Sequence, residues 1–246
     1  MSTFGVILPA AGKSERFRDQ HYKKPFAPLA DRAVWLHTVE KFVNRVDVKQ
    51  LIVVISPEDR SLFDAKFSAN VVILGIDVVE GGGKRADSVA NALKQIRDDV
   101  DFVAIHDAVR PCIASKWIDA VFAAAEKTGA AILGVPVTST LKRVESDHQI
   151  QETVSRANLW EAQTPQVFRR ELLVKAFAEH SQASTVTDEA QLVEHIGHAV
   201  TVVPGSPQNM KITTQDDLRL AAEVLKILPR AKRQGPAHPF DDDHWR

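Results

Sequence analysis

Short stretches of this 246-residue chain set small residues beside charged ones, as polyphosphate chemistry requires. Pro9-Ala10-Ala11-Gly12 is a small-residue turn, with Arg16, Lys23 and Lys24 in the next dozen positions. Small side chains let a phosphate chain reach backbone N–H groups, and cations neutralise its charge once water is displaced. Spacing alone leaves open a plain strand-to-loop turn with solvated cations. The stretch is neither G-x-x-x-x-G-K-[ST] nor G-x-G-x-x-G, which weakens a dinucleotide reading. Glu80-Gly81-Gly82-Gly83-Lys84 runs into Arg85-Ala86-Asp87-Ser88. Its glycines allow a base or phosphate to pack on the main chain and Ser88 offers a hydroxyl, the alternative being a loop with Ser88 or Asp87 as helix N-cap.

His106-Asp107-Ala108-Val109-Arg110-Pro111 follows an apolar run. Asp107 could hold Mg²⁺, which prefers one or two carboxylates plus phosphates, or could be a turn residue. His106 reads as structural. Thr187, in Thr185-Val186-Thr187-Asp188-Glu189-Ala190, sits where a helix would begin, a place for either a phosphate or simple capping. Lys211, in Asn209-Met210-Lys211-Ile212-Thr213, is ambiguous by itself, and His195 with His198 lacks the further ligands of a zinc site.

These residues need a scaffold, and apolar runs at Gly5–Leu8, Leu51–Ile55, Phe102–Ile105, Ala131–Val137 and Ala199–Val203 read as buried strands. Between them Val34–Val43, Arg85–Ile96 and Trp117–Lys127 have helical periodicity, with Val89, Leu93 and Ile96 on one face. The alternation predicts a mostly parallel sheet covered by helices on both faces, with ligands at the carboxyl edge of its strands. From Thr138 to about Phe168 it fails, and the polar-apolar pattern predicts a projecting β-arm. Helices return at Glu171–Glu179, Asp188–His195 and Gln215–Ile227. The last residues, 229–246, have little to bury and are expected to be a disordered tail beyond a single domain of residues 1–228.

With 44% hydrophobic and 26% charged residues the composition excludes a disordered chain or a coiled coil. Lys and Arg number 31 against 32 Asp and Glu, a formal net charge of -1. No broad basic field exists to hold a nucleic acid, so a phosphate ligand must be gripped locally. No apolar run approaches the ~20 residues of a membrane span. The single cysteine, Cys112, excludes an intramolecular disulfide, and the opening residues enter a strand rather than a secretion signal, which suggests the cytoplasm.

Seven segments in register, PAAGKSERF, KKPFAPL, GGGKRADSV, HDAVRP, TVSRANLWEAQTPQVF, TVTDEA and NMKIT, resemble the 2-C-methyl-D-erythritol 4-phosphate cytidylyltransferases from Phe4 to about Leu225. The resemblance implies a Rossmann-like sheet of the nucleotide-diphospho-sugar transferase type. It implies transfer of a cytidylyl group from CTP to the polyol phosphate in the non-mevalonate isoprenoid pathway, with Mg²⁺ or another divalent cation. Pro9, Ala10, Ala11 and Gly12 would wrap the CTP phosphates, while Gly82 and Ser88 would recognise cytosine. Arg16, Lys24, Arg156 and Lys211 are the implied catalytic cations, and Asp107 the residue at metal and phosphates. Arg110, Thr140, Arg156, Thr187 and Lys211 would place the substrate, Thr140 and Arg156 from an arm that enters the partner's site in a homodimer. Family members commonly carry glycine where this chain has Ser14; a serine fits there if its φ is negative and its hydroxyl points outward. A ribitol 5-phosphate cytidylyltransferase shares the fold and much of the motif order and is the alternative. An NAD-type oxidoreductase lacks its glycine fingerprint here, and an inert nucleotide-binding regulator would not need the whole set of Arg16, Lys24, Asp107, Arg156 and Lys211.

Overall fold

The computed structural model describes residues 1–12, 14, 16–17, 19, 22–179 and 186–228. The expected tail at 229–246 and Thr185 of the TVTDEA segment lie outside them.

The first apolar run is strand β1 (Phe4–Pro9). A short 3₁₀ turn over Lys24–Phe26 leads to the two-residue strands β2 (Pro28–Leu29) and β3 (Arg32–Ala33), helix α1 (Val34–Val39) and β4 (Val48–Ile55). Then come α2 (Arg60–Leu74), β5 (Asp77–Glu80), α3 (Arg85–Leu93), β6 (Phe102–Ile105), α4 (Ser115–Thr128) and β7 (Ala130–Pro136). A hairpin of β8 (Leu141–Val144) and β9 (Ile150–Val154) precedes β10 (Trp160–Arg169), α5 (Arg170–Glu179), α6 (Glu189–His195), β11 (Thr201–Pro204) and α7 (Gln215–Ile227).

Seven strands form one sheet in the order β11-β7-β10-β6-β1-β4-β5. Only β10 is antiparallel to its neighbours. The central strands read as unbroken apolar runs because both faces are covered. Val6, Leu8 and Val53 point into a layer with Trp35, Phe42 and Phe122, whereas Ile7, Ile52 and Val54 point into the opposite layer with Val89, Leu93 and Leu192. The three central parallel strands, β6, β1 and β4, therefore end at one edge, placing Pro9, Ile55 and Ile105 together there.

One expectation needs correction, and one helix goes unread in the sequence. The arm is shorter than 138–168: only β8 and β9 stand apart as a hairpin, and β10 lies in the middle of the sheet. Residues 163 to 168 are buried there, but three of them are Gln163, Thr164 and Gln166, and polar side chains in a core strand hide the apolar pattern. Helix α2 had no clear sequence signal because Phe63 is its only buried residue, while Val72 and Ile73 face outward.

Candidate functional site

At the sheet's carboxyl edge the chain leaves β1 as a turn fastened by the Ala10 N–H to the Val54 carbonyl, 2.7 Å. Beside it the glycine loop leaves β5, its Gly81 N–H bonded to the Ile55 carbonyl. A Cβ on Gly81 would lie 2.6 Å from Ser88 Oγ and 2.8 Å from Ala11 Cβ, and one on Gly82 would lie 2.4 Å from Asp87 Cβ. The loops therefore pack main chain against small side chain, leaving room for nothing larger than glycine. Neither Ser88 nor Asp87 is the N-cap of α3. Lys84 is, and Asp87 accepts from its N–H at 3.0 Å. The Ser88 hydroxyl accepts from Gly82 N–H and donates to the Lys84 carbonyl, each at 3.1 Å, so it shapes the loop. Pro9, Ala10, Ala11, Gly12, Gly82 and Ser88 line one cleft of about 300 Å³ whose far wall carries Lys24, Arg85, Asp107 and Lys211.

Asp107 stands just past the end of β6, its side chain 8% exposed. Lys211 Nζ lies 3.0 Å and Arg110 Nε 3.2 Å from Oδ2, and Arg85 Nε 3.6 Å from Oδ1. Burial alone would raise its carboxyl pKa; the three cations outweigh burial and hold it well below the usual carboxylate range. Asp107 is thus an anion collecting cations from three segments, beyond what a turn residue requires. His106, completely buried, holds the turn: its Nδ1 faces the Thr164 hydroxyl at 3.0 Å and its Nε2 the Arg110 carbonyl at 3.1 Å. Burial pushes its pKa down to about 4, so the ring is neutral, which agrees with a structural role.

Lys24 is half-buried, and no carboxylate among the described residues makes an ion pair with it. Burial first, then Lys211 and Arg16, push its pKa below the usual lysine value, while Asp107 and Asp217 pull the other way. Three cations thus converge on one place. Pro25 and Phe26 anchor Lys24 from below, Phe26 packing 5.8 Å from Phe63 and 6.0 Å from Phe67 between ring centroids. Arg16 is exposed, next to the buried Phe17. Lys23 leaves the site and pairs with Asp59 at 2.9 Å. Ser14 departs from expectation: its φ is +60°, the left-handed region, and its hydroxyl turns inward to accept the Lys24 N–H at 3.1 Å. The side chain that replaces glycine offsets backbone strain by pinning the loop that carries Lys24.

A second cavity of about 370 Å³ adjoins the first, with Lys211 in the walls of both. Arg110, Thr138, Glu161, Gln163 and Asn209 also line it. Two adjoining cavities that share a lysine, with the Asp107 carboxylate in the wall of the first, suit two phosphorylated reactants meeting at the boundary.

The sequence model of the family described as 2-C-methyl-D-erythritol 4-phosphate cytidylyltransferase matches residues 4–227. The chain belongs to this family. It is 43% identical over 230 residues to the enzyme of that name from Acidobacterium capsulatum, covering 90% of this chain and 96% of the relative. With the enzyme of that name from Rhodopirellula baltica it shares 40% over 235 residues, 91% and 95% of the two chains. The crystal structure of the Thermus thermophilus cytidylyltransferase superposes with a TM-score of 0.76 at 30% identity, covering 92% of this chain and 100% of that one. That of Francisella tularensis gives 0.75 at 32%, covering 91% and 100%.

Within this cytidylyltransferase fold β10 is a hub whose polar residues Gln163, Thr164 and Gln166 were given no role by the motif reading. Gln163 donates to the Ser206 carbonyl at 2.8 Å and accepts from Asn209 Nδ2 at 3.2 Å, which sets the approach to Lys211. The Thr164 hydroxyl accepts the Asp107 N–H at 3.1 Å. Gln166 donates to Asp188 at 2.8 Å and accepts from Ala190 N–H at 3.0 Å, docking the start of α6. The available signal was polarity itself, since buried polar side chains in a core strand must be matched by partners. Four expected residues, Arg16, Thr140, Arg156 and Thr187, do not line either cavity. Thr140 and Arg156 are exposed near the hairpin, Arg156 Nη1 bonding the Thr138 carbonyl, and Thr187 is exposed with its N–H 3.0 Å from Gln191 Oε1. Among the described residues no group of three or more His, Cys, Asp or Glu is placed to hold a metal.

Proposed function

We infer that the chain transfers a cytidylyl group from CTP to 2-C-methyl-D-erythritol 4-phosphate, releasing pyrophosphate, as the names of its relatives describe. The observation that carries this reading at residue level is the convergence of Lys24, Lys211, Arg85 and Arg110 around Asp107, beside a cleft lined with backbone and small side chains. CTP phosphates would lie along the Ala-Ala-Gly turn, its base toward the glycine loop, and the polyol phosphate in the second cavity with Arg110 and Lys211.

The polyol phosphate oxygen attacks the α-phosphorus of CTP, forming the new P–O bond as the bond to pyrophosphate breaks. A phosphate monoester, with a second pKa of about 6, is already mostly a dianion at neutral pH, so no general base is needed. The obstacle is bringing two polyanions together, and side-chain cations must neutralise charge building on the α-phosphate and the leaving group. Lys24 and Arg16 fit the first need, with Lys211 between the reactants. A divalent cation fits the same reading, because one carboxylate at the cleft wall plus phosphate oxygens is the donor set that Mg²⁺ prefers. Asp107 would hold it, and its charge would screen the phosphates.

A homodimer with exchanged arms belongs to the proposal. Its support is the exposed hairpin: Val144 and Ile150 are 52% and 62% exposed, and Leu159 and Trp160 beyond it 40% and 43%. Isolated hairpins are marginal in water, and a two-fold mate would supply burial while bringing Thr140 and Arg156 to the other subunit's substrate. No helix among the described residues is long and apolar enough to cross a membrane. A cytoplasmic setting is part of the proposal, supported by one cysteine that is buried and whose thiol burial pushes up to about 12. Pyrophosphate release from CTP tests the reaction, run with 2-C-methyl-D-erythritol 4-phosphate and ribitol 5-phosphate in parallel. Turnover confined to ribitol 5-phosphate would overturn the substrate, and none with either would overturn the reaction.

A further inference from the structure

Glu189 opens helix α6 and is 1% exposed, yet it is ionisable and has no place in the transfer described above. Its Oε1 accepts from Arg85 Nη1 at 2.5 Å, while Oε2 has no hydrogen-bond partner among the described residues. Burial pushes the Glu189 pKa up although Arg85 opposes it. Leaving a carboxylate oxygen dry and unpaired works against folding, and a neutral residue of the same size would avoid that cost. A function for the charge is the reason to look at what it holds.

It holds Arg85. That residue is the first of α3, next to the glycine loop, and its side chain lines the cleft at 31% exposure. Its guanidinium spans two buried carboxylates, close to Glu189 and farther from Asp107, where Nε lies 3.6 Å from Oδ1. Glu189 cannot drift, because Gln166 fixes the residues on either side, Asp188 through its side chain and Ala190 through its N–H. Core strand, α6, Arg85 and Asp107 thus form one chain of contacts running to the boundary of the two cavities.

We propose that Glu189 is a positioning residue for the cytidylyl transfer, holding the Arg85 guanidinium back from Asp107. Asp107 is then shared among Lys211, Arg110 and Arg85 rather than claimed by one of them, and Arg85 keeps Nη2, which has no hydrogen-bond partner among the described residues, for a phosphate. Without the Glu189 charge, Arg85 closes onto Asp107 and both are lost to the reactants. The inference rests on the transfer reaction proposed above.

The test compares full-length wild type, E189Q, R85Q and the double variant in CTP-dependent pyrophosphate release with 2-C-methyl-D-erythritol 4-phosphate. In parallel, the Arg85 Nε–H resonance is followed by NMR in ¹⁵N-arginine-labelled protein without ligand. E189Q should lose about ten- to a hundredfold in kcat/KM, the scale of a misplaced reacting group. It should also shift the Arg85 resonance. In the R85Q background the same substitution should change kcat/KM less than about twofold, because a residue that acts through Arg85 has nothing left to position. Wild-type activity in E189Q overturns the proposal, as does an equal loss in both backgrounds, which a merely structural role would give. If E189Q fails to fold, the double variant, which buries neither charge, is compared with R85Q: equal activity supports the proposal and further loss overturns it. If wild type releases no pyrophosphate, the transfer reading fails separately. An unshifted Arg85 resonance in E189Q then still overturns the positioning, and a shifted one supports it.

Discussion

Asp107→Asn removes the carboxylate on which Lys211, Arg110 and Arg85 converge at 3.0, 3.2 and 3.6 Å. Breaking a buried ion pair from one side typically costs about 3–5 kcal/mol, because the partner charge stays behind uncompensated. The structure puts this case near the lower end. Arg85 keeps Glu189, Arg110 keeps the Asn209 carbonyl at 2.7 Å, and Lys211, 38% exposed, can turn to water. A loss of about 3 kcal/mol lowers Tm by about 6–12 °C in a chain of this size. Lys211 and Arg110 are left without the Asp107 counter-charge, so a polyanion should bind the variant more tightly than wild type when divalent cations are absent. Thermal melts in EDTA, with and without inorganic pyrophosphate, measure both effects. The variant should melt lower alone and gain more from pyrophosphate. Equal pyrophosphate-induced shifts in the two proteins would refute the view that Asp107 is the counter-ion of a phosphate-binding cluster. In the activity assay the variant should need a higher divalent-cation concentration for half-maximal turnover, since an amide keeps the shape but loses the charge. An unchanged titration would leave Asp107 without a metal role.

Lys24→Ala should lower turnover about a hundredfold while weakening CTP binding far less, because its ammonium meets charge that builds in the transition state; wild-type kcat would remove it from the mechanism. Mixing Lys24→Ala with Arg156→Ala after subunit exchange should restore activity, to about a quarter of wild type for random exchange, since half the dimers are mixed and each has one intact site. No recovery despite demonstrated exchange would place Arg156 in its own subunit's site. Ser14→Gly should melt within about 1 kcal/mol of wild type, the relieved left-handed strain offsetting the lost bond to Lys24, whereas Ser14→Ala loses the bond and keeps the strain. Equal stability of the two variants would contradict that account. Deleting Arg230–Arg246 should leave folding and turnover intact, as the family match ends at residue 227, and an inactive truncation would show that the segment contributes to the domain.

Read alone, the sequence determined what local chemistry can determine. Continuous apolar runs marked β1, β4, β6 and β7 because strands buried on both faces have no polar side to show. The small-residue turn at Pro9–Gly12, the glycines at 81–83 and Asp107 were legible because the backbone must approach a ligand or a charge must face one. The fold then placed all three at one edge of the sheet. The tertiary structure alone decided the rest. Sequence cannot tell whether a lysine is solvated or convergent, so Lys23 and Lys24, adjacent in the chain, separated only when one paired with Asp59 and the other turned into the cleft. Ser14 took a positive φ that its residue type disfavours because a partner, the Lys24 N–H, waited ten residues on. Strand β10 was read as part of the arm because three of its six buried side chains, Gln163, Thr164 and Gln166, are polar. Their hydrogen bonds reach Asp107, Asp188, Ser206 and Asn209, positions 22 to 57 residues away along the chain. A polar residue in the core is paired only after distant segments meet, and no local pattern can announce a partner that folding supplies.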